Sequence, residues 1–342
     1  MSSSTNDTAL QNRLGDLLQQ ERFPPPAEFV ERALIKDDSV HRAAAADPVA
    51  WWHEQALELL QWDTAPQESL DDSRAPFYTW FADGKLNASV QCLDRHVAAG
   101  LGDRVAFRWF GEEGEQRDLT YAGLLADVQR LANALKDRGV RAGDVVGIYL
   151  PMIPEVIVAM LACARIGAPH NVVFGGFSAE SVRERMEVSE ATALITVDGA
   201  RRKGKTAPVK PSVDEVMGDL GSLKTIFVVK HTGIDVPMDP ERDVWVHEAM
   251  EAADAECVPE AFGAEHPLFI LYSSGSTAAP KGILHTTGGY LTGVTWTHRY
   301  VFDLKPEEDV WFCSADVGWV TGHSYIVYGP LSNGVTSVMY EG

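Results

Sequence analysis

The segment Leu271-Tyr272-Ser273-Ser274-Gly275-Ser276-Thr277-Ala278-Ala279-Pro280-Lys281-Gly282-Ile283 carries the most readable chemistry in the chain. It follows the apolar run Leu268–Tyr272. Four hydroxyl side chains, Ser273, Ser274, Ser276 and Thr277, surround Gly275 before Lys281 and Gly282 are presented. Small residues let backbone N–H groups approach phosphate oxygens. The hydroxyls add donors, and the lysine adds a point charge. The order is not that of a Walker A loop, GxxxxGKS/T, in which glycine precedes lysine. A P-loop NTPase would also need a carboxylate after a strand, and Asp316 is the only weak candidate. On composition alone, a plain Ser/Gly-rich turn explains the segment as well.

Three further segments could do chemistry. In Val173-Phe174-Gly175-Gly176-Phe177-Ser178, two glycines at a strand-to-helix junction let a ligand approach the backbone. In Asp198-Gly199-Ala200-Arg201-Arg202-Lys203-Gly204-Lys205, positive charge concentrates against the trend of an acidic chain, which points to a phosphate-bearing ligand. The bland alternative is a solvated basic loop. In Ala315–Tyr325, Trp319 and the branched Val320 leave room for only a short chain beside them, because overpacking is costly. Taken alone, that stretch also reads as a strand end and a buried helix start. His285, His298 and His323 do not share a metal-ligand spacing, so no metal site is expected. Asp316 and His323 read as scaffold, and His170 as a strand-end residue.

These segments need a frame to hold them, and the chain supplies an alternating one. Val105–Phe110 reads as a strand, with GEEGEQ as a turn after it. Thr120 caps a helix to about Arg138, whose face is Leu124, Leu125, Val128, Leu131, Ala132 and Leu135, and Gly139 stops it. Val145–Leu150, His170–Phe174 and Ala193–Val197 read as strands. Helices Glu155–Ile166 and Ser178-capped 179–188 lie between them. Thr225–Val229, Leu268–Tyr272, Val310–Cys313 and Thr336–Tyr340 are later strands, and Thr287–Phe302 is helical. The βαβαβ rhythm implies an α/β fold with mostly parallel sheets flanked by helices. Upstream, Asp47 caps a helix from Pro48 that carries Trp51, Trp52, Ala56, Leu59 and Leu60 at helical spacing. Residues 36–100 hold Trp51, Trp52, Trp62 and Trp80, four of nine tryptophans, and read as a helical cap whose tryptophans are core or docking surface. Residues 1–35, interrupted by Pro24–Pro26, read as a loose arm.

The 342 residues suggest two domains at ~100–200 residues each. With 29 basic and 49 acidic residues the formal charge is −20, so no basic stripe exists to bind nucleic acid. The excess of negative charge also repels anionic lipid. The most apolar stretch, 145–168, is interrupted by Pro151, Pro154, Glu155 and Arg165, so no membrane span is expected. No secretory signal opens the chain. Cys92, Cys163, Cys257 and Cys313 are far apart and read as reduced thiols of a cytoplasmic protein.

The phosphate-loop segment, continued by Leu284-His285-Thr286-Thr287-Gly288-Gly289-Tyr290-Leu291, resembles the ATP loop of AMP-forming acyl-CoA synthetases, specifically the acetyl-CoA synthetase branch. Ala279 stands where that family has lysine. The resemblance extends from Phe23–Ile35 and Asp47–Trp62 to the last residue, with three separated motifs in the family's order. It implies the N-terminal part of the adenylate-forming fold: a cap, then an AMP-binding domain over 101–342, incomplete and without the mobile C-terminal domain. It implies ATP binding by Ser273, Ser274, Gly275, Ser276, Thr277, Lys281 and Gly282. It implies coenzyme A binding by Phe174, Gly175, Gly176, Arg202, Lys203, Gly204, Lys205 and Thr321. It implies an acyl pocket of Trp319, Val320 and Thr321. The implied reaction joins acetate, ATP with Mg²⁺, and coenzyme A into acetyl-CoA, AMP and diphosphate through acetyl-adenylate. Propionate is the nearest alternative substrate, and a non-catalytic nucleotide- or coenzyme A-binding chain is the alternative class. The family's downstream Thr-Glu motif, ribose-binding aspartate and adenylation lysine have no match, so this chain alone is expected to be nearly inactive. Because the last strand meets the last residue, a sheet cut there is expected to leave an unpaired edge.

Overall fold

Runs such as Ala193–Val197 and Thr225–Val229 are buried at every position, the pattern of strands covered on both faces. The computed structural model describes residues 23–273 and 280–342. They divide into two compact units at Arg42. In the first, α1 (Ala27–Arg32) has no buried residue, and α2 (Ser39–Ala46) begins before the division and ends after it.

The second unit opens with α3 (Pro48–Leu59), capped as expected: the Ala50 N–H donates to the Asp47 carboxylate over 3.0 Å. Trp51 and Trp52 of α3 meet Trp296 edge-on, with centroids 5.2 and 6.0 Å away. Two sheets and a separate two-stranded hairpin, β6–β7, follow. The strands are β1 (Val105–Phe110), β2 (Gln116–Thr120), β3 (Val146–Ile148), β4 (His170–Val172), β5 (Ala193–Val197), β6 (Gly199–Arg202), β7 (Lys205–Pro208), β8 (Thr225–Val229), β9 (Asp243–Trp245), β10 (Pro267–Ser273), β11 (Lys281–Thr286), β12 (Val310–Phe312) and β13 (Thr336–Tyr340). The central sheet has the order β9-β8-β5-β3-β4-β10-β11 and is parallel except for β11. The second sheet has the order β12-β13-β1-β2, with β2 antiparallel.

The helices that cross between strands are α4 (Tyr121–Asp137), α5 (Pro154–Arg165), α6 (Ala179–Val188), α7 (Lys210–Met217), α8 (Val246–Ala252) and α9 (Thr287–Trp296). The Thr120 and Ser178 caps form as read: each side chain accepts from the backbone N–H three residues on. α5 is buried along nearly its whole length, which explains its unbroken apolar run. Its Arg165 is 2% exposed and forms a two-pronged pair with Asp94 at 2.9 and 3.0 Å. No helix among the described residues is long and apolar enough to cross a membrane.

The GEEGEQ turn forms over residues 111–115, and from Gln116 the chain continues as β2, paired with β1. Three expectations need correction. The basic cluster is a β-hairpin, β6–β7, rather than a loop. Lys203 and Gly204 both adopt positive φ at its tip, the backbone a tight two-residue turn demands. Lys281 and Gly282 belong to strand β11, paired with Ser273 and Tyr272. Finally, Thr336–Tyr340 is no free edge: β13 is paired on both sides, to β12 and to β1. The edges of this sheet are β2 and β12; in β12, Val310 and Phe312 are more than half exposed.

Candidate functional site

The chain passes from β3 to β4 on one side and returns to β5 on the other. Such a reversal opens a crevice outside the carboxyl ends of the strands. A cleft of about 640 Å³ lies there. Pro151 and Met152 after β3, Phe174–Gly176 after β4, and Ala200–Lys203 of β6 and its turn line one side. The second sheet aims its own parallel carboxyl ends at the same space. Glu112 after β1, Phe312–Asp316 after β12 and Tyr340–Gly342 after β13 line the other side.

Close backbone approach joins the segments singled out in the sequence. A Cβ on Gly318 would stand 2.7 Å from the Phe174 Cα, so only glycine lets the 315–320 stretch lie against the Phe174 turn. The Gly318 N–H donates to the Asp316 carboxylate over 2.7 Å, and burial pushes the Asp316 carboxyl up. Asp316 is therefore a turn-former. The Trp319 ring sits 5.8 Å from Phe174 and 6.1 Å from Phe177. Val320 and Thr321 are exposed at the start of a helical run, 320–332. His323 is fully buried behind them, stacked beside His170 at 5.6 Å, and burial lowers its pKa to about 4.

Charge is sorted within the basic hairpin. Arg201 pairs with Glu115 at 2.6 Å and Glu113 at 3.3 Å. The Gly204 N–H donates to Glu112 over 2.7 Å. Arg202, Lys203 and Lys205 remain exposed, the first two at the cleft. Asp198, fully buried, accepts from the N–H groups of Gly199, His231, Thr232 and Gly233 at 2.7–3.0 Å. That carboxylate anchors the root of the hairpin. Across the cleft Glu341 accepts from the Glu112 N–H at 3.0 Å and meets His231 at 2.6 Å. Burial alone would push the Glu341 carboxyl up, but these bonds outweigh it and hold it below the usual range.

Of the phosphate loop, Ser273 and Lys281 face each other as the last pair of the β10–β11 hairpin, with Lys281 exposed. Ser274, Gly275, Ser276 and Thr277 lie outside the described residues. One side chain joins this hairpin to the cleft. The Arg185 guanidinium lies 4.7 Å from the Phe177 ring centroid and 5.7 Å from that of Tyr272. The Tyr272 hydroxyl donates to the Arg185 carbonyl over 3.4 Å. Arg185, Glu112 and Glu341 were not singled out as site residues in the sequence. Asp198 was legible only as the opening of the basic cluster, Phe312 and Cys313 only as a strand end, and Asp316 only as scaffold.

Among the described residues, no group of three or more His, Cys, Asp or Glu side chains could hold a metal ion. The cleft presents exposed cations and strand-end backbone beside aromatic rings.

Residues 94–342 match the family described as AMP-binding enzyme, and residues 38–92 match the acetyl-coenzyme A synthetase N-terminus. The acetyl-coenzyme A synthetase of Streptomyces coelicolor is 55% identical over 330 residues, 96% of this chain and 50% of that protein. That of Rubrobacter xylanophilus is 52% identical over 324 residues, 94% of this chain and 49% of that protein. That of Mycolicibacterium smegmatis is 54% identical over 321 residues, 94% and 34%. The chain spans about half the length of most of the curated relatives it matches.

Proposed function

Because the chain belongs to the AMP-binding enzyme family, we propose that it furnishes the acyl, coenzyme A and phosphate-loop side of an acetate–CoA ligase. In this reading ATP and acetate give acetyl-adenylate and diphosphate, and coenzyme A then takes the acetyl group and releases AMP. The observation that carries it is convergence: the Phe174 turn, Arg202 and Lys203 line one cleft at the strand ends, and Trp319 stands against that turn.

The exposed cations Arg202, Lys203 and Lys205 take the phosphates of coenzyme A, and the Phe174–Gly176 turn and Gly204 offer backbone against its nucleotide. Trp319, Val320 and Thr321 wall the acyl group, with Thr321 beside the thiol end. Ser273, Ser274, Gly275, Ser276, Thr277, Lys281 and Gly282 cradle the diphosphate. Attack of a carboxylate on the α-phosphorus joins two anions, so fixed positive charge on the leaving diphosphate lowers the barrier. Mg²⁺ enters as the counter-ion of the nucleotide.

Calorimetry of the chain with coenzyme A and with Mg·ATP tests this reading. Arg202→Ala with Lys205→Ala is expected to weaken coenzyme A at least about tenfold, since a charge-assisted hydrogen bond is worth ~1.5–3 kcal/mol. Lys281→Ala is expected to weaken ATP and spare coenzyme A. Binding of neither ligand, or binding indifferent to these changes, overturns the reading. Acetate and propionate differ by one methylene, worth ~1–3 kcal/mol. Saturation-transfer NMR with each acid separates them.

A further inference from the structure

A second cleft, of about 480 Å³, lies between the cap and α9 and shares no lining residue with the first. Its walls are aromatic: Trp52 of α3, Tyr78, Trp80 and Tyr290 of α9. Its lining contains one carboxylate, Glu265, and no lysine or arginine. We propose that this cleft binds a small organic cation of the quaternary ammonium class, held by the ring faces and by Glu265.

Three of the four rings are held by contacts of their own, while Tyr78 is more exposed. Trp52 stands edge-on to Trp51 at 4.7 Å and to Trp296 at 6.0 Å. Trp80 lies 5.6 Å from Phe81. The Tyr290 hydroxyl bonds Ser324 at 3.0 Å, and its ring meets Phe269 edge-on at 4.9 Å. The carboxylate is fixed too: Glu265 Oε1 accepts the Trp80 backbone N–H over 2.8 Å, which holds the negative charge at the backbone of a ring-bearing wall residue. Ring faces carry the negative part of the aromatic quadrupole and attract a weakly hydrated cation, most strongly when desolvated. The remaining titratable ring, His285, stacks on Phe269 at 4.3 Å, and burial pushes its pKa down. It is neutral at neutral pH and does not repel a cation. A chain charge of −20 raises the local concentration of any cation. None of these residues belongs to the coenzyme A or acyl set, so the proposal stands or falls apart from the ligase reading.

Choline and its neutral isostere 3,3-dimethyl-1-butanol are the probes, read by tryptophan fluorescence and calorimetry on the whole chain. Choline is expected to bind at least about tenfold more tightly than the isostere, the mark of charge rather than shape. Glu265→Gln keeps an acceptor for the Trp80 N–H and is expected to erase most of that difference. A Cβ on Gly293 of α9 meets nothing within 4 Å, so Gly293→Leu fills the cleft without a clash at its Cβ. It is expected to abolish choline binding while the urea midpoint stays level. Equal binding of both probes, choline binding untouched by Gly293→Leu, or no choline binding at millimolar concentration would overturn the proposal.

Discussion

Two clusters of basic residues lie side by side in the sequence and have opposite fates. The hairpin Arg201–Lys205 neutralises only Arg201 and turns Arg202, Lys203 and Lys205 outward. Five residues on, Lys210 is fully buried, with Asp214 at 2.7 Å and Asp243 at 2.6 Å. Arg242 closes the group, bonding the same two carboxylates at 2.6 and 2.7 Å. A count of charges does not distinguish them. What differs is whether carboxylates from elsewhere in the chain arrive to meet the cation. Where they do, the charge holds the fold. Where they do not, it stays exposed, as Arg202 and Lys203 do at the cleft.

The sharpest way to break this contrast is to remove a cation from each side. Lys210→Ala leaves Asp214 and Asp243 without their buried partner and is expected to cost about 3–5 kcal/mol in urea unfolding. Acid separates paired from unpaired basic groups. His298 and His323 are buried, with pKa values lowered to about 4 by burial. The folded state therefore binds fewer protons than the unfolded one, so stability falls as pH drops below the ordinary 6.5 and levels near 4. Each contributes roughly 2–3 kcal/mol of loss by pH 4.5. Asp243 answers in a lower window. Burial alone would raise its pKa, but hydrogen bonds from Arg242 and Lys210 hold it below 3.8, so its contribution persists down to that pH and is lost beneath it. Urea midpoints from pH 7.5 to 4.5 should fall steeply, and His298→Leu should flatten the fall.

On the cleft side, Gly318→Ala drives a Cβ into the Phe174 backbone and is expected to destabilise by ~1–3 kcal/mol, as overpacking does. Thermal melts check the value, and coenzyme A binding should weaken with it. The smallest effect on stability belongs to Arg202→Ala, within ~0.5 kcal/mol because the side chain is exposed. The same change should reduce coenzyme A affinity and its salt dependence. A large loss of stability there would place Arg202 with Lys210 and dissolve the contrast.

Local signals in the sequence were enough for the frame. Thr120, Ser178 and Asp47 cap helices because a short polar side chain before an apolar period has one good use. Ala193–Val197 reads as a buried strand because nothing in it suits water. β11 was illegible because an edge strand with Lys281, Gly282, Ile283 and Leu284 all exposed has no alternation to detect. Half of the cleft was illegible for a different reason. Glu112, Phe312 and Glu341 reach it only because β1, β12 and β13 pair, and no local pattern announces pairing between distant segments. The Phe174 turn and Arg202 were legible because glycine pairs and charge against the trend are local facts.

The position of β13 has a consequence in time. The Thr336 hydroxyl donates to the Val105 carbonyl, 231 residues away in sequence, and the strand inserts between β1 and β12. During synthesis the β1–β2 hairpin must therefore wait, one long edge open, until more than two hundred further residues have been made. Pairing across such a separation is slow, and an open edge is prone to mispairing. In the central sheet the parallel neighbours β3, β4 and β5 arrive in quick succession, and only β10, which pairs Phe269 with His170 of β4, comes late, so the two walls of one cleft are completed at different moments in the life of the chain.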